Sequence, residues 1–325
     1  MPFKTALKNT VLALAFSLAF LTSGAYGDAA SLKVVSFNIQ FLGHFKQKDN
    51  KALAKLLSDY DLVFIQELVA PPIAGKYPDG TPFKADTEAE GFFDAMAMHG
   101  FSYKLSEEDT GTGEKIHKNS SATEWFVAFY KPHKVIPAND LAHGFLAEDR
   151  SNHSDYERVP YAFPFRAGGA DLVFISVHLQ PGGSKKETAR RAHEFESIFK
   201  WIANQNAPER DYVILGDMNI EDCEELASIL PTGFASLNND CIPTNTSPRT
   251  PKPYDHVIYN EKDSANEMAN NHFQVIDLVV AMGKKWSGER GSFPGNPYRH
   301  KEFRMRYSDH HPIALKIVID GTDDD

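Results

Sequence analysis

The sequence has little cysteine, a deficit of positive charge and almost no long apolar stretch. Only two cysteines occur in 325 residues, Cys223 and Cys241, and no Cys-x-x-Cys spacing is present. A structural zinc site built on cysteine pairs is thereby excluded. Lys and Arg total 34 against 44 Asp and Glu, a formal net charge of -10. That balance excludes a protein that coats nucleic acid through a broad basic face. It does not exclude an enzyme that meets a polyanion through a small site and a cation. The His-Glu-x-x-His, Gly-x-Ser-x-Gly and P-loop motifs are all missing. No repeat and no Pro/Ser/Gly-rich linker divides the chain, so one domain is expected. With 42% hydrophobic and 24% charged residues, the composition is that of an ordinary globular protein.

The one long apolar run is at the start. Val11–Leu21 follows Lys4 and Lys8 and precedes the small residues Ala25 and Gly27. Its eleven residues are too few for the roughly 20 that a spanning helix needs. The pattern is that of a secretory signal peptide over residues 1–27, cleaved near Gly27 or at Ala29/Ala30. Residues 28–320 then form the expected single catalytic domain, and 321–325 a solvated acidic tail. Export to the periplasm or medium puts both cysteines in an oxidising compartment, where a disulfide is expected; two buried thiols are the alternative.

Short β-branched and aromatic runs bounded by turns predict strands at Leu32–Asn38, Leu62–Gln66, Trp125–Tyr130 and Leu172–His178. Further strands are predicted at Tyr212–Leu215, His256–Tyr259, Phe273–Val280 and Ile313–Ile319. Helical periodicity covers Asn50–Ser58 and Glu187–Ala203, the second with Ala192, Phe195, Phe199 and Ile202 on one face. The stretches 75–91, 106–121 and 141–157 read as polar loops. Many strands with few helices indicate an α+β chain.

The chemistry lies where apolar strands end. Asn38, Glu67 and His178 each close such a run, Gly216-Asp217-Met218-Asn219 closes another, and Asp255 and Asp309-His310 each stand before one. Taken singly, Gly-Asp-x-Asn is an ordinary turn and a lone histidine an ordinary core or surface residue. The collection is a kit for phosphoester hydrolysis. Hard oxygen ligands suit Mg²⁺ or Mn²⁺, and histidines move protons near neutral pH with carboxylates to orient them.

In this order the motifs resemble the endonuclease/exonuclease/phosphatase superfamily, and most of all its pancreatic deoxyribonuclease I branch. Leu32–Ile39, Ile65-Gln66-Glu67, Val177-His178, Gly216–Asn219, Tyr254-Asp255-His256 and Ser308-Asp309-His310 carry the resemblance, which spans residues 32 to 319. Glu124, Arg158-Val159-Pro160 and the Cys223/Cys241 pair resemble features of that branch. Departures are Val69 and Gln40, where that branch has arginines, and His311, where it has an aromatic residue.

The resemblance implies a four-layer α/β/β/α sandwich (deoxyribonuclease I-like). It implies a metal held by Glu67, Asn38 and Asp309, as Mg²⁺ or Mn²⁺, with a structural Ca²⁺ left undecided. His178 is implied to pair with Glu124 and His310 with Asp255, while Asp217 and Asn219 place water and phosphate. Arg158 is implied to clamp a phosphate. Two basic clusters adjoin these residues: Lys185, Lys186, Arg190 and Arg191 follow His178, and Arg299, His300, Lys301, Arg304 and Arg306 precede Asp309. They are expected to meet DNA or, as an open alternative, RNA, or else to be solvated faces. The expectation is a monomeric, exported DNA endonuclease that leaves 5′-phosphate ends and has no stable membrane insertion. A sphingomyelinase-like phospholipid enzyme is the second reading, with Gly91-Phe92-Phe93 as its only candidate membrane loop. A catalytically inactive binding module is the third.

Overall fold

A strand that is apolar on both faces needs a layer on each side, and several strands of this chain are of that kind. The computed structural model describes residues 30–111, 123–149, 153–205, 209–268, 271–283 and 299–319; the expected signal peptide and acidic tail lie outside them. One sheet runs β14 (Gln274–Val275), β15 (Ile313–Val318), β1 (Ser31–Leu42), β2 (Leu62–Leu68), β6 (Trp125–Tyr130) and β5 (Ser102–Leu105). The other runs β12 (Phe234–Ser236), β13 (Asp255–Asn260), β11 (Tyr212–Asp217), β10 (Ala170–His178), β9 (Tyr161–Ala167) and β7 (Ile136–Pro137). β8 (Gly144–Phe145) also pairs with β9, and β3 (Gly75–Lys76) with β4 (Pro82–Phe83) forms a separate hairpin.

Alternation along the strands builds the layers. Val34, Phe64, Phe174, Val213 and Leu215 point between the sheets into one core. Their neighbours Val35, Phe37, Val63 and Ile65 point outward onto α1 (Asn50–Leu57), α2 (Thr87–Ala97) and, through Phe303, α5 (His300–Arg306). On the other side Val173, Ile175, Val177 and Ile214 face α3 (Lys185–Ala203) and α4 (Cys223–Ile229). The result is the α/β/β/α sandwich, with parallel β1–β2 and β10–β11 pairs among antiparallel neighbours. Cys223 and Cys241 form a disulfide across 18 residues, Cα–Cα 5.7 Å.

Several sequence expectations are corrected. Phe273–Val280 is not one strand: pairing stops at Val275, and the Asp277 side chain accepts from the Val280 amide, capping a helical turn instead. The 75–91 loop contains the β3–β4 hairpin and the start of α2, capped by Asp86. β9 does not show in the sequence pattern because Pro164 sits at its centre. The gap between the short β7 and β8 pairings falls at that residue, so no ladder partner is lost. On α3, Ala192 is exposed, and Arg191 and Glu194 share the buried face with Phe195 and Ile198.

Candidate active site

The strand ends that carry the polar residues are bent out of register. β1 shifts against β2 between Asn38 and Leu42, and β2 against β6 between Ile65 and Leu68. Gln40, Phe41, Glu67 and Asn219 all have left-handed backbone, φ 51–61°. Each such non-glycine residue costs on the order of 1–3 kcal/mol, and strain of this kind collects at functional sites. Here the distortion brings the Glu67 carboxylate onto β1, where it meets Phe41 and Asn38, and sends the Gln40 side chain to Asp309. Gly216 serves the same place differently. A Cβ there would lie 2.1 Å from the Val177 carbonyl oxygen, so only glycine lets β11 lie this close to β10 beside His178. Beneath the site, Gln66 bridges the sheets by accepting from the Ser36 hydroxyl and donating to Ser176 Oγ, each at 3.2 Å.

Two histidine–carboxylate pairs face one aspartate. His178 Nδ1 lies 2.8 Å from Glu124 Oε1, and His310 Nδ1 lies 2.8 Å from Asp255 Oδ2. The opposite ring nitrogen of each, Nε2, lies 3.5 Å from the same atom, Asp217 Oδ2. Asp217 Oδ1 accepts from the Asn219 amide at 3.0 Å, and the Asn219 side chain donates to the Leu179 carbonyl at 3.1 Å. All six side chains are buried. Burial alone would strip the proton from each histidine, but Glu124 and Asp217 hold His178 above its ordinary value. Asp255 and Asp217 likewise outweigh burial and hold His310 well above it. In return, although burial raises Asp217, the two histidines bring it below the usual carboxylate range. The carboxylates thus favour the protonated form of each ring, and the rings in turn favour the ionised form of Asp217.

Asn38 links this group to the acidic one. Its Nδ2 donates to Asp217 Oδ2 and Glu67 Oε1, each at 2.9 Å, and its Oδ1 accepts from the Gln40 amide. Glu67 Oε2 accepts from the Phe41 amide at 3.0 Å. Asp309 Oδ2 accepts from Gln40 Nε2 at 2.5 Å and faces Arg304 at 3.4 Å, while its buried Oδ1 has no hydrogen-bond partner among the described residues. Burial raises the Glu67 carboxyl and the nearby Asp309 charge raises it further. Two carboxylates, Glu67 and Asp309, whose charges oppose one another, with a buried Asp309 oxygen lacking a partner among the described residues, suit a divalent cation. Asn38, by contrast, turns its Nδ2 and not its Oδ1 toward Glu67. Among the described residues, the groups whose ligand atoms lie within 4.8 Å of one another are Glu67, His178 and Asp217, and Asp217, Asp255 and His310, so Glu67 is the one residue of the expected metal set that they include.

The expected phosphate-binding residues divide. Arg158 is buried against the first pair, its Nε 3.4 Å from Glu124 Oε1. Lys185 is exposed in the first turn of α3. Arg304 pairs with Asp309, and Arg306 with Asp49 at 3.5 Å. Arg191 does not belong to an exposed basic face: it is fully buried and ion-paired with Glu225 at 2.7 Å. His256 is a core residue between Ser236 Oγ and the Pro253 carbonyl, and burial pushes it down to about 4.

Sequence reasoning missed three supporting residues. Gln40 reads in the sequence only as a departure from the family pattern, yet it holds Asp309. Lys48 is buried beside the acidic group, donating to the Tyr307 carbonyl at 2.7 Å, and burial pushes it down to about 7 against the pull of Asp309 and Glu67. Glu194 accepts from the Glu157 amide at 2.7 Å and the Gln180 amide at 2.8 Å, joining the Arg158 segment to the one that follows His178. Burial raises Glu194 to about 7. Folding therefore favours its protonated form: the contribution is full below about 4.5, lost as pH rises to about 7, and constant beyond. That difference is worth about 3 kcal/mol. Urea unfolding of wild type and Glu194→Gln at pH 5 and pH 8 should show a smaller pH effect in the variant. Equal pH effects in the two would assign the carboxyl an ordinary titration.

A sandwich of this layering, with paired histidines and carboxylates at one edge of its sheets, defines a class of phosphoester-processing folds. The endonuclease/exonuclease/phosphatase family model matches residues 35–310, and the chain belongs to that family. Rat (Rattus norvegicus) deoxyribonuclease gamma is 21% identical over 314 residues, covering 90% of this chain and 86% of that protein. Among solved structures, D. rerio TDP2 complexed with single strand DNA product superposes with TM-score 0.52 at 15% identity, covering 89% of this chain and 99% of that one. An endonuclease/exonuclease/phosphatase family protein from Leptotrichia buccalis C-1013-b gives TM-score 0.54 at 14% identity, covering 88% and 99%.

Proposed function

We propose that the protein is an exported, divalent-metal-dependent endonuclease that hydrolyses DNA phosphodiester bonds, leaving 3′-hydroxyl and 5′-phosphate ends. The observation that carries this reading is the approach of both histidine Nε2 atoms to Asp217 Oδ2, each ring being backed by its own buried carboxylate. The family match and the likeness to a deoxyribonuclease support it. Export is supported by the signal-like start and by the disulfide within a single catalytic domain over residues 28–320.

In this reading Glu67, Asp309 and Asn38 would hold Mg²⁺ or Mn²⁺. The cation would offset charge on the phosphate and on the leaving oxygen. Asp217 and Asn219 place the attacking water, and Asp217 Oδ2 receives its proton. The water oxygen bonds to phosphorus as the bond to the 3′ oxygen breaks. His178, oriented by Glu124, gives that oxygen its proton, and His310, oriented by Asp255, donates to a phosphate oxygen. Arg158 clamps a further phosphate oxygen. The candidate membrane loop of the phospholipid reading is not one, because Phe92 and Phe93 are buried in the core on α2. Among the described residues no helix is long and apolar enough to cross a membrane.

Plasmid nicking with Mg²⁺ and with EDTA, beside a choline-phosphodiester assay, tests the proposal. Nicking that EDTA abolishes, with the choline diester untouched, is the expected result. Hydrolysis of the choline diester alone would replace the nuclease reading with the lipid one.

A further inference from the structure

We infer that a basic cavity beside the histidine site binds a phosphate of the DNA strand flanking the one being cut, an inference that rests on the nuclease reading. The cavity, about 350 Å³, lies between the 247–249 loop and the start of α5. Ser247, Arg249, Arg299, His300, Lys301 and Glu302 line it. Arg249, Arg299 and Lys301 give it three full positive charges against the single carboxylate of Glu302. Arg299 is engaged with Glu302 at 3.3 Å. Among the described residues Arg249 and Lys301 have no carboxylate partner within ion-pair distance, and both are exposed. In a chain of net charge -10, a concave site with two uncommitted cations and a hydroxyl is suited to an anion with several acceptor oxygens.

Its attachment to the site points to a strand phosphate. Thr246, the residue before the cavity wall, donates from its amide to the Asp309 carbonyl at 2.7 Å and from Oγ1 to the Ser308 carbonyl at 3.2 Å. Thr246 Oγ1 also lies 3.1 Å from His300 Nε2, so one side chain fixes both cavity walls to the segment carrying His310. Asn245 forms a β-bridge with His310. The loop is closed on itself: the Thr244 amide donates to the Lys252 carbonyl at 2.9 Å, and Asn245 Nδ2 donates to the Thr250 carbonyl at 2.8 Å. Arg249 is thus presented by a tied loop at a set place relative to the chemistry. Phosphates recur along one strand about every 3.4 Å of helix axis, so a strand seated at the histidines carries further phosphates past this wall.

The test compares wild type with Arg249→Ala/Lys301→Ala, both surface positions outside the acid/base and metal groups. Plasmid cleavage should show KM raised about tenfold with kcat within twofold. The slope of log(kcat/KM) against log salt should become shallower by about 1–2, as for one or two lost phosphate contacts. Hydrolysis of bis(4-nitrophenyl) phosphate, too small to span both places, should be unchanged. Binding of a fluorescein-labelled DNA duplex in EDTA, read by anisotropy, follows the cavity without turnover and should weaken about tenfold. Unchanged duplex affinity in the variant overturns the inference, whether or not the enzyme cuts. Weakened duplex binding in a protein that cuts no DNA would retain the cavity and overturn the nuclease reading. Calorimetry with inorganic phosphate separates the free ion: binding lost in the variant with no change in duplex affinity would also overturn the inference.

Discussion

Alanine at His178 or at His310 is expected to lower kcat on DNA by about a hundredfold or more, with the melting transition preserved. Each ring is buried, yet each has an orienting carboxylate on one nitrogen and Asp217 on the other, so neither imidazole is mere filling. The two act on one phosphorus centre in the proposed mechanism. Removing both should therefore cost little more than the worse single change, as for residues that work as a unit. Steady-state plasmid nicking, with unfolding followed in parallel, reads this directly. Near-normal turnover in either single variant would remove that histidine from the mechanism.

The second large effect is expected at a residue outside the proposed acid/base and metal groups. Arg191→Ala should destabilise the protein by about 3–5 kcal/mol, the usual consequence of leaving a buried charge without its partner. Arg191 Nη1 donates to the Gln180 and Gly182 carbonyls at 2.7 and 2.6 Å, while Nε and Nη2 both meet Glu225 Oε1. Those carbonyls follow His178 by two and four residues, and Glu194 holds the Gln180 amide from the same helix face. The side chain thus fastens the exit of β10 to α3 and α4. Urea unfolding measures the loss, and Arg191→Lys should recover only part of it because a lysine cannot reach three partners in fork geometry. A change below about 1 kcal/mol would mean that water replaces these bonds without penalty.

Much of the fold was legible because its central strands are apolar on both faces. Runs such as Val34-Val35 and Val213-Ile214-Leu215 need cover on each side, and the three cores confirm that they have it. What local pattern could not show were elements governed by single residues. Asp277 ends β14 after Val275, Pro164 masks β9, and α4 and α5 are only 7 residues long, too short for a helical period to stand out. For the site, strand-end position and motif order led to the residues that the structure gathers around Asp217. Their supports were not legible, because the contacts that define them are remote in sequence. Gln40 and Asp309 are 269 residues apart, and Lys48 and Tyr307 are 259 apart. Arg191 shows the opposite error. A cation on a helix near His178 reads as an exposed phosphate contact until its burial and its partner Glu225 are seen.

The position of bond cleavage is the most direct measure of the proposed chemistry. Cutting a DNA duplex in ¹⁸O-labelled water with Mg²⁺, then weighing the products, reports where the water oxygen goes. The account predicts one ¹⁸O on the 5′-terminal phosphate of each new end and none on the 3′ side. Label on a 3′-phosphate, or products free of label, would contradict water attack directed by the Asp217 group with a 3′ leaving oxygen.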